Sequence, residues 1–181
     1  MGVVAAKLVL VTGPIASGKT TIARDLAART RSRGVGAAAI DMDDLVFMVN
    51  GLDWRTVTAA HWSVARKAAA ALIDALFSAR LDLVAVAGPF FAESERDELI
   101  GNMRTDATVH VVALNVTLEQ AITRAQADPS RMLSKDPELL ARLEKTINWA
   151  ELPTEAIRLS TDGLQADEAG ARIFRKLFDR E

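Results

Sequence analysis

The sequence predicts a three-layer α/β domain: a five-stranded parallel sheet with helices on both faces. Three observations predict it. Five short apolar runs alternate along the chain with stretches of helical character. The first run ends in a glycine-rich turn that leads straight into a helix. The chain has 181 residues, half of them hydrophobic and a quarter charged, which suits a single core over residues 1–181 and is short for two.

The elements follow in order. Lys7 to Thr12 (KLVLVT) has the profile of a strand buried on both faces. A helix runs from about Gly18 to Arg33 and is stopped by Gly34 and Gly36. Val35 to Ile40 is the second strand and ends in Asp41-Met42-Asp43-Asp44. A short helix over Asp44 to Val49 breaks at Asn50-Gly51, and Thr58 caps a long helix to about Arg80. Leu83 to Ala87 is the third strand, stopped by Gly88-Pro89, and a helix from Ser94 to about Met103 follows. Thr108 to Leu114 is the fourth strand. Thr117 to Gln120 reads as a capping box for a helix to about Ala127. Asp128-Pro129-Ser130 breaks that helix, and Asp136-Pro137 starts another. Ala156 to Leu159 is the fifth strand, and a last helix covers about Ala166 to Phe178. Ligands of such sheets lie beyond the carboxyl ends of the strands, so the loops 13–20, 41–44, 88–91, 115–117 and 160–163 are the places to look.

Composition removes several classes. There is no cysteine, so disulfides, thiolate metal sites and thiol nucleophiles are excluded. His61 and His110 are the two histidines, too few for a histidine-rich metal site; His110, inside a buried strand, reads as a hydrogen-bonded structural residue. A net charge of −2 argues against a nucleic-acid partner. No apolar stretch is long enough to span a bilayer or to serve as an export signal, so no membrane partner and a cytoplasmic location are expected.

Gly13-Pro14-Ile15-Ala16-Ser17-Gly18-Lys19-Thr20 fits G-x-x-x-x-G-K-[ST] in full, between a strand and a helix. Its glycines let successive N–H groups turn inward onto phosphate oxygens, and the helix N-terminus adds positive potential. Lys19 supplies a full charge to the terminal phosphates, Thr20 a hydroxyl to magnesium, and Thr21 continues the first turn. The cofactors expected are ATP and Mg2+.

On these landmarks the chain resembles the small-molecule kinases of the P-loop superfamily: the shikimate kinase, gluconate kinase and chloramphenicol phosphotransferase group, also described simply as AAA-type ATP-binding proteins. The resemblance implies strand order 2-3-1-4-5 and transfer of the ATP γ-phosphate to a hydroxyl of a small molecule, by a monomer or homodimer. Asp41 and Asp43 flank Met42 at a strand end; in extended backbone both point to one side. By the resemblance, Asp41 holds magnesium through water and Asp43 accepts the proton of the acceptor hydroxyl, with Asp44 as the competing choice. The third strand ends without the acid that many P-loop enzymes carry there, which leaves the metal to Thr20 and Asp41.

The resemblance also implies that Arg124 packs on adenine and that Arg131, or Lys135 in its stead, reaches the transferring phosphate from a lid over about 128–136. Thr161-Asp162-Gly163 would sit beside the base. The acceptor is covered by a segment over about 44–66, with Trp54 and Arg55 as contacts and Gly88, Pro89 and Phe90 as another wall. Trp62 fits an apolar helix face and reads as core, while Trp149 suits core or pocket. Two other readings compete. A nucleoside or nucleotide kinase would use Arg55 and Arg66 for an acceptor phosphate. A nucleotide-dependent switch would use the phosphate loop without an acceptor.

Overall fold

A computed structural model describes residues 6–51, 54–129 and 135–178. The expected alternation is present. The strands are β1 (Lys7–Thr12), β2 (Ala37–Asp41), β3 (Leu83–Ala87), β4 (Thr108–Asn115) and β5 (Ile157–Ser160). The helices are α1 (Lys19–Ser32), α2 (Met42–Asn50), α3 (Ala59–Ser78), α4 (Glu93–Gly101), α5 (Leu118–Ala127), α6 (Pro137–Glu144) and α7 (Ala166–Phe178). Short 3-10 turns occupy Trp54–Thr56 and Trp149–Glu151. The sheet is parallel throughout, in the order β2-β3-β1-β4-β5.

Strand alternation divides the core. Val9 and Val11 of β1 face Ile22 and Leu26 of α1 and Ile173 and Phe174 of α7. Leu8 and Leu10 face the other way, with Val46 of α2, Ile73 of α3 and Leu99 of α4. A strand buried on both faces has no polar side to show, which is why KLVLVT reads as a continuous apolar run. All five carboxyl ends therefore emerge on one edge of the sheet. A cleft at the opposite edge, lined by Lys7, Arg33, Phe174 and Phe178, is remote from them. His110 departs from its expected bonding: its Nε2 is buried with no hydrogen-bond partner among the described residues, and burial, then the Lys7 charge, keep the ring neutral by lowering its pKa.

One boundary matters for the site. No loop separates β2 from α2: Asp41 is the last strand residue and also the helix N-cap, accepting from the Asp43 N–H at 3.0 Å. The extended Asp-x-Asp expected from the sequence is therefore absent. Asp43 stands on the first turn of a helix, because a carboxylate at Asp41 satisfies an otherwise unpaired helix donor.

Candidate active site

The phosphate loop is shaped by backbone demands. A Cβ on Gly13 would stand 2.5 Å from Ser17 Oγ and 2.7 Å from the Leu114 carbonyl oxygen, so only glycine fits between the loop and β4. Gly18 has a φ of 95° with open space around it, so its requirement is conformational. Ala16 also sits in the left-handed region, at φ 61°. A side chain there costs on the order of 1 kcal/mol, a strain common at functional sites.

Lys19 folds back across the loop and donates from Nζ to the Gly13 and Pro14 carbonyls, both at 2.9 Å. Ser17 is 1% exposed, and its Oγ has no hydrogen-bond partner among the described residues. A buried hydroxyl without a partner costs about 1–3 kcal/mol. An anion entering the loop would accept this donor.

Thr20 Oγ1 donates to Asp41 Oδ2 at 2.6 Å. This contact joins the first turn of α1 to the end of β2 and brings together two hard oxygen donors. They suit magnesium, which takes few protein ligands and leaves the rest to phosphate and water. The same sparsity appears in the absence, among the described residues, of any group of three or more carboxylate or histidine ligands. Asp43 follows on the first turn of α2, half-buried, while Asp44 is exposed.

Arg124 ties three elements together. It donates to Thr161 Oγ1 at 3.0 Å, to the Thr161 carbonyl at 2.6 Å and to the Ala16 carbonyl at 3.4 Å. Thr161 was expected to offer its backbone to a base. Instead it is 4% exposed, its carbonyl is held by Arg124 and its N–H by Asn115 at 2.8 Å. Thr161 thus props the phosphate loop, and only Asp162 and Gly163 present the turn outward. Asp162 receives the Thr117 N–H at 3.0 Å, which holds its carboxyl below the usual range and clamps β5 to the start of α5. Arg131 lies outside the described residues; Lys135 lies at the edge of them.

The side expected to face an acceptor is built from packing. A Cβ on Gly88 would fall 2.6 Å from Met42 Cγ and 2.9 Å from Phe90 Cε2. Phe90 is a correction: its side chain is wholly buried in the core with Met42 and forms no pocket wall, because the Gly88 turn rolls it under α2. Pro89 remains half-buried. Trp54 and Arg55 sit exposed on their 3-10 turn. The Trp54 ring stands edge-on to Phe47 at 4.5 Å and 6.1 Å from Trp62. Trp62 packs against the core as its helical spacing implied. Trp149, expected in core or pocket, meets Phe91 edge-on at 5.4 Å and lines an open cleft with Asn115, Arg158 and Ser160.

Three residues escaped the sequence reading. Arg96 is 6% exposed and donates to the carbonyls of Phe90, Phe91 and Glu151, fixing the turn after β3. Nothing in sequence distinguishes such an arginine from a surface one. Glu98 receives Ser63 and Arg66, the latter at 2.5 Å through Nε, which ties Arg66 of α3 to α4. Phe47 alone left a signal, the four-residue spacing from Asp43 that puts both on one helix face.

The family model described as AAA domain matches residues 8–153. No curated protein matches the chain. Solved structures with the same fold include the APS kinase of Mycobacterium tuberculosis in complex with AMPPNP and APS, 19% identical, with 96% of this chain and 98% of that one covered at a TM-score of 0.66. A gluconokinase from Sinorhizobium meliloti 1021 is 17% identical over 98% of each chain, TM-score 0.64. Shikimate kinase from Acinetobacter baumannii, in complex with shikimate, is 19% identical over 98% of this chain and 95% of that one, TM-score 0.63.

Proposed function

The chain belongs to the AAA domain family, and from that premise we propose that it is an ATP-dependent phosphotransferase acting on a hydroxyl of a small molecule. The observation that carries the reading is the 2.6 Å contact between Thr20 and Asp41. It couples a complete phosphate loop to an acidic strand end that continues directly into Asp43. A nucleotide switch needs the loop but gives no reason for a second carboxylate one helical step beyond the metal-side acid.

The residues divide the work. The loop N–H groups and the Ser17 hydroxyl bind phosphate oxygens. Lys19 exchanges its hold on the Gly13 and Pro14 carbonyls for the β- and γ-phosphates. Thr20 and Asp41 would hold Mg2+, which when bound would supply charge neutralisation for the phosphate oxygens. Asp43 accepts the acceptor's hydroxyl proton as the oxygen bonds to the γ-phosphorus and the bond to the β-bridging oxygen breaks, releasing ADP. Arg124 fixes the base-side rim, with Asp162 and Gly163 beside it, and Arg131 or Lys135 supplies the lid cation. The apparatus acts alone or as a homodimer in the cytoplasm.

The direct test follows ATP consumption across sugars, polyols, antibiotics and nucleosides, repeated with Lys19→Ala. Acceptor-dependent ADP release by the native chain, lost in the variant, is expected. Acceptor-independent hydrolysis alone would favour the switch.

A further inference from the structure

Resting on the phosphotransferase reading, we infer that the acceptor is an uncharged alcohol bearing a flat apolar group, held against the Phe47–Trp54–Trp62 cluster. Asp43 and Phe47 are one turn apart on α2, both half-buried, so their Cβ atoms lie about 5–6 Å apart on one face. Trp54 extends that face, with its ring against Phe47 at 4.5 Å, and is 38% exposed. An alcohol whose oxygen reaches Asp43 therefore lays its body over Phe47 and Trp54. Exposed Met48 and Val49 on the same helix and Val64 on α3 add further apolar surface to these two elements.

Charge decides between acceptor classes. Asp41, Asp43 and Asp44 crowd the start of α2, which has no basic residue over its whole length. Of the cations on the facing elements, Lys67 stands exposed on α3 near Glu98, and two arginines are engaged by the protein. Arg66 is bound to Glu98, and Arg96 to three backbone carbonyls. Arg55 is exposed beside Trp54 and already has an interaction of its own. An anionic acceptor would meet three carboxylates at the start of α2, with Arg66 and Arg96 already bound by the protein. A bare polyol would leave the aromatic faces wet. A neutral ring-bearing alcohol answers both conditions, through stacking and apolar burial.

The test is isothermal titration of the full chain, loaded with AMPPNP and magnesium, using four alcohols that separate ring from charge: phenyl glycol, mandelate, propylene glycol and lactate. Phenyl glycol should bind at least about tenfold more tightly than either mandelate or propylene glycol. Trp54→Ala should erase the advantage of the ring, and Trp54→Phe should keep most of it; AMPPNP should bind both variants as it binds the native chain. Equal binding of mandelate and phenyl glycol, no binding of phenyl glycol at millimolar concentration, or a ring advantage that survives Trp54→Ala would each overturn the inference. Failure of AMPPNP to bind the native chain would instead strike the phosphotransferase reading, so the two failures are told apart.

Discussion

The phosphate side and the acceptor side of this site are held in place by different physics. From Gly13 to Thr20 the shape comes from backbone: three positive-φ residues, of which Gly13 is pressed on the Leu114 carbonyl, and a lysine bonded to loop carbonyls. From Met42 to Phe91 the shape comes from side chains. Met42, Phe90 and Gly88 interlock, Arg96 laces the turn after β3, and Phe47, Trp54 and Trp62 form an aromatic face. Backbone-built sites demand particular residues at particular spacings. Packed sites accept many solutions, so one is a place for chemistry shared with other proteins and the other a place for specificity.

The largest expected effect separates the two sides most sharply. Asp43→Asn should cut phosphoryl transfer by roughly 10²–10⁴ while AMPPNP affinity stays near native, since only the proton acceptor is lost. Asp44→Asn, on the exposed flank, should turn over within a few-fold of native. The reverse pattern would move the base by one residue and place it outside the Thr20–Asp41 junction. Lys19→Ala should come next, with a loss on the order of 10²–10³ in rate. Unlike Asp43→Asn, it should also weaken nucleotide binding. Separate titrations of ATP and acceptor distinguish these two signatures.

The paired glycines sharpen the comparison. Gly13→Ala drives a Cβ to within 2.7 Å of a backbone carbonyl, which cannot step aside without moving β4. Gly88→Ala meets Met42 Cγ at 2.6 Å, part of a flexible side chain. Overpacking of the second kind typically costs about 1–3 kcal/mol. Gly88→Ala should lower the unfolding free energy, measured by urea titration, by that amount and reduce transfer by tilting the start of α2, with AMPPNP binding preserved. Gly13→Ala should abolish AMPPNP binding. Equal effects on nucleotide affinity would mean that the two sides are one mechanical unit.

The same contrast governs what could be read from the sequence. β1, β3 and α7 match their expected bounds because buried strands and a strongly amphipathic helix carry their pattern locally. The phosphate loop was legible because its spacing is dictated by φ angles. Asp41 was legible as an acid beside the loop, but its double duty as strand end and N-cap was not. Spacing alone cannot decide whether residue 42 continues a strand or begins a helix. Phe90 was misplaced because its burial depends on the space left by Gly88 and on Met42, which lies 48 positions before it in the sequence and meets it only after folding. The bracing roles of Thr161 and Arg66 were not legible for the same reason. Their partners, Arg124 and Glu98, lie 37 and 32 residues away.

The smallest expected effect probes whether the acceptor-side brace is independent of the phosphate loop. Hydrogen bonds from Ser63 and Arg66 hold the Glu98 carboxyl below its ordinary range. A carboxylate with a depressed folded pKa contributes stability that is fully present above its unfolded pKa and is lost as pH falls through the folded value. Glu95, pushed up by burial, has the opposite sign: its contribution is present in acid and fades as pH rises. Comparing Glu98→Gln with the native chain at each pH cancels the Glu95 term. The variant should be less stable at neutral pH by about 1 kcal/mol, the scale of a partly exposed pair. The gap should close in acid, once pH has fallen through the lowered folded value and native Glu98 is protonated and resembles glutamine. Urea midpoints at both pH values measure it. AMPPNP affinity should not change, because Arg66 and Glu98 join α3 to α4 and touch no residue of the loop. A gap that persists in acid would assign the variant's loss to packing of the amide rather than to the ion pair. A fall in nucleotide affinity would show that the brace on α3 and α4 reaches the phosphate loop through β3 and α2.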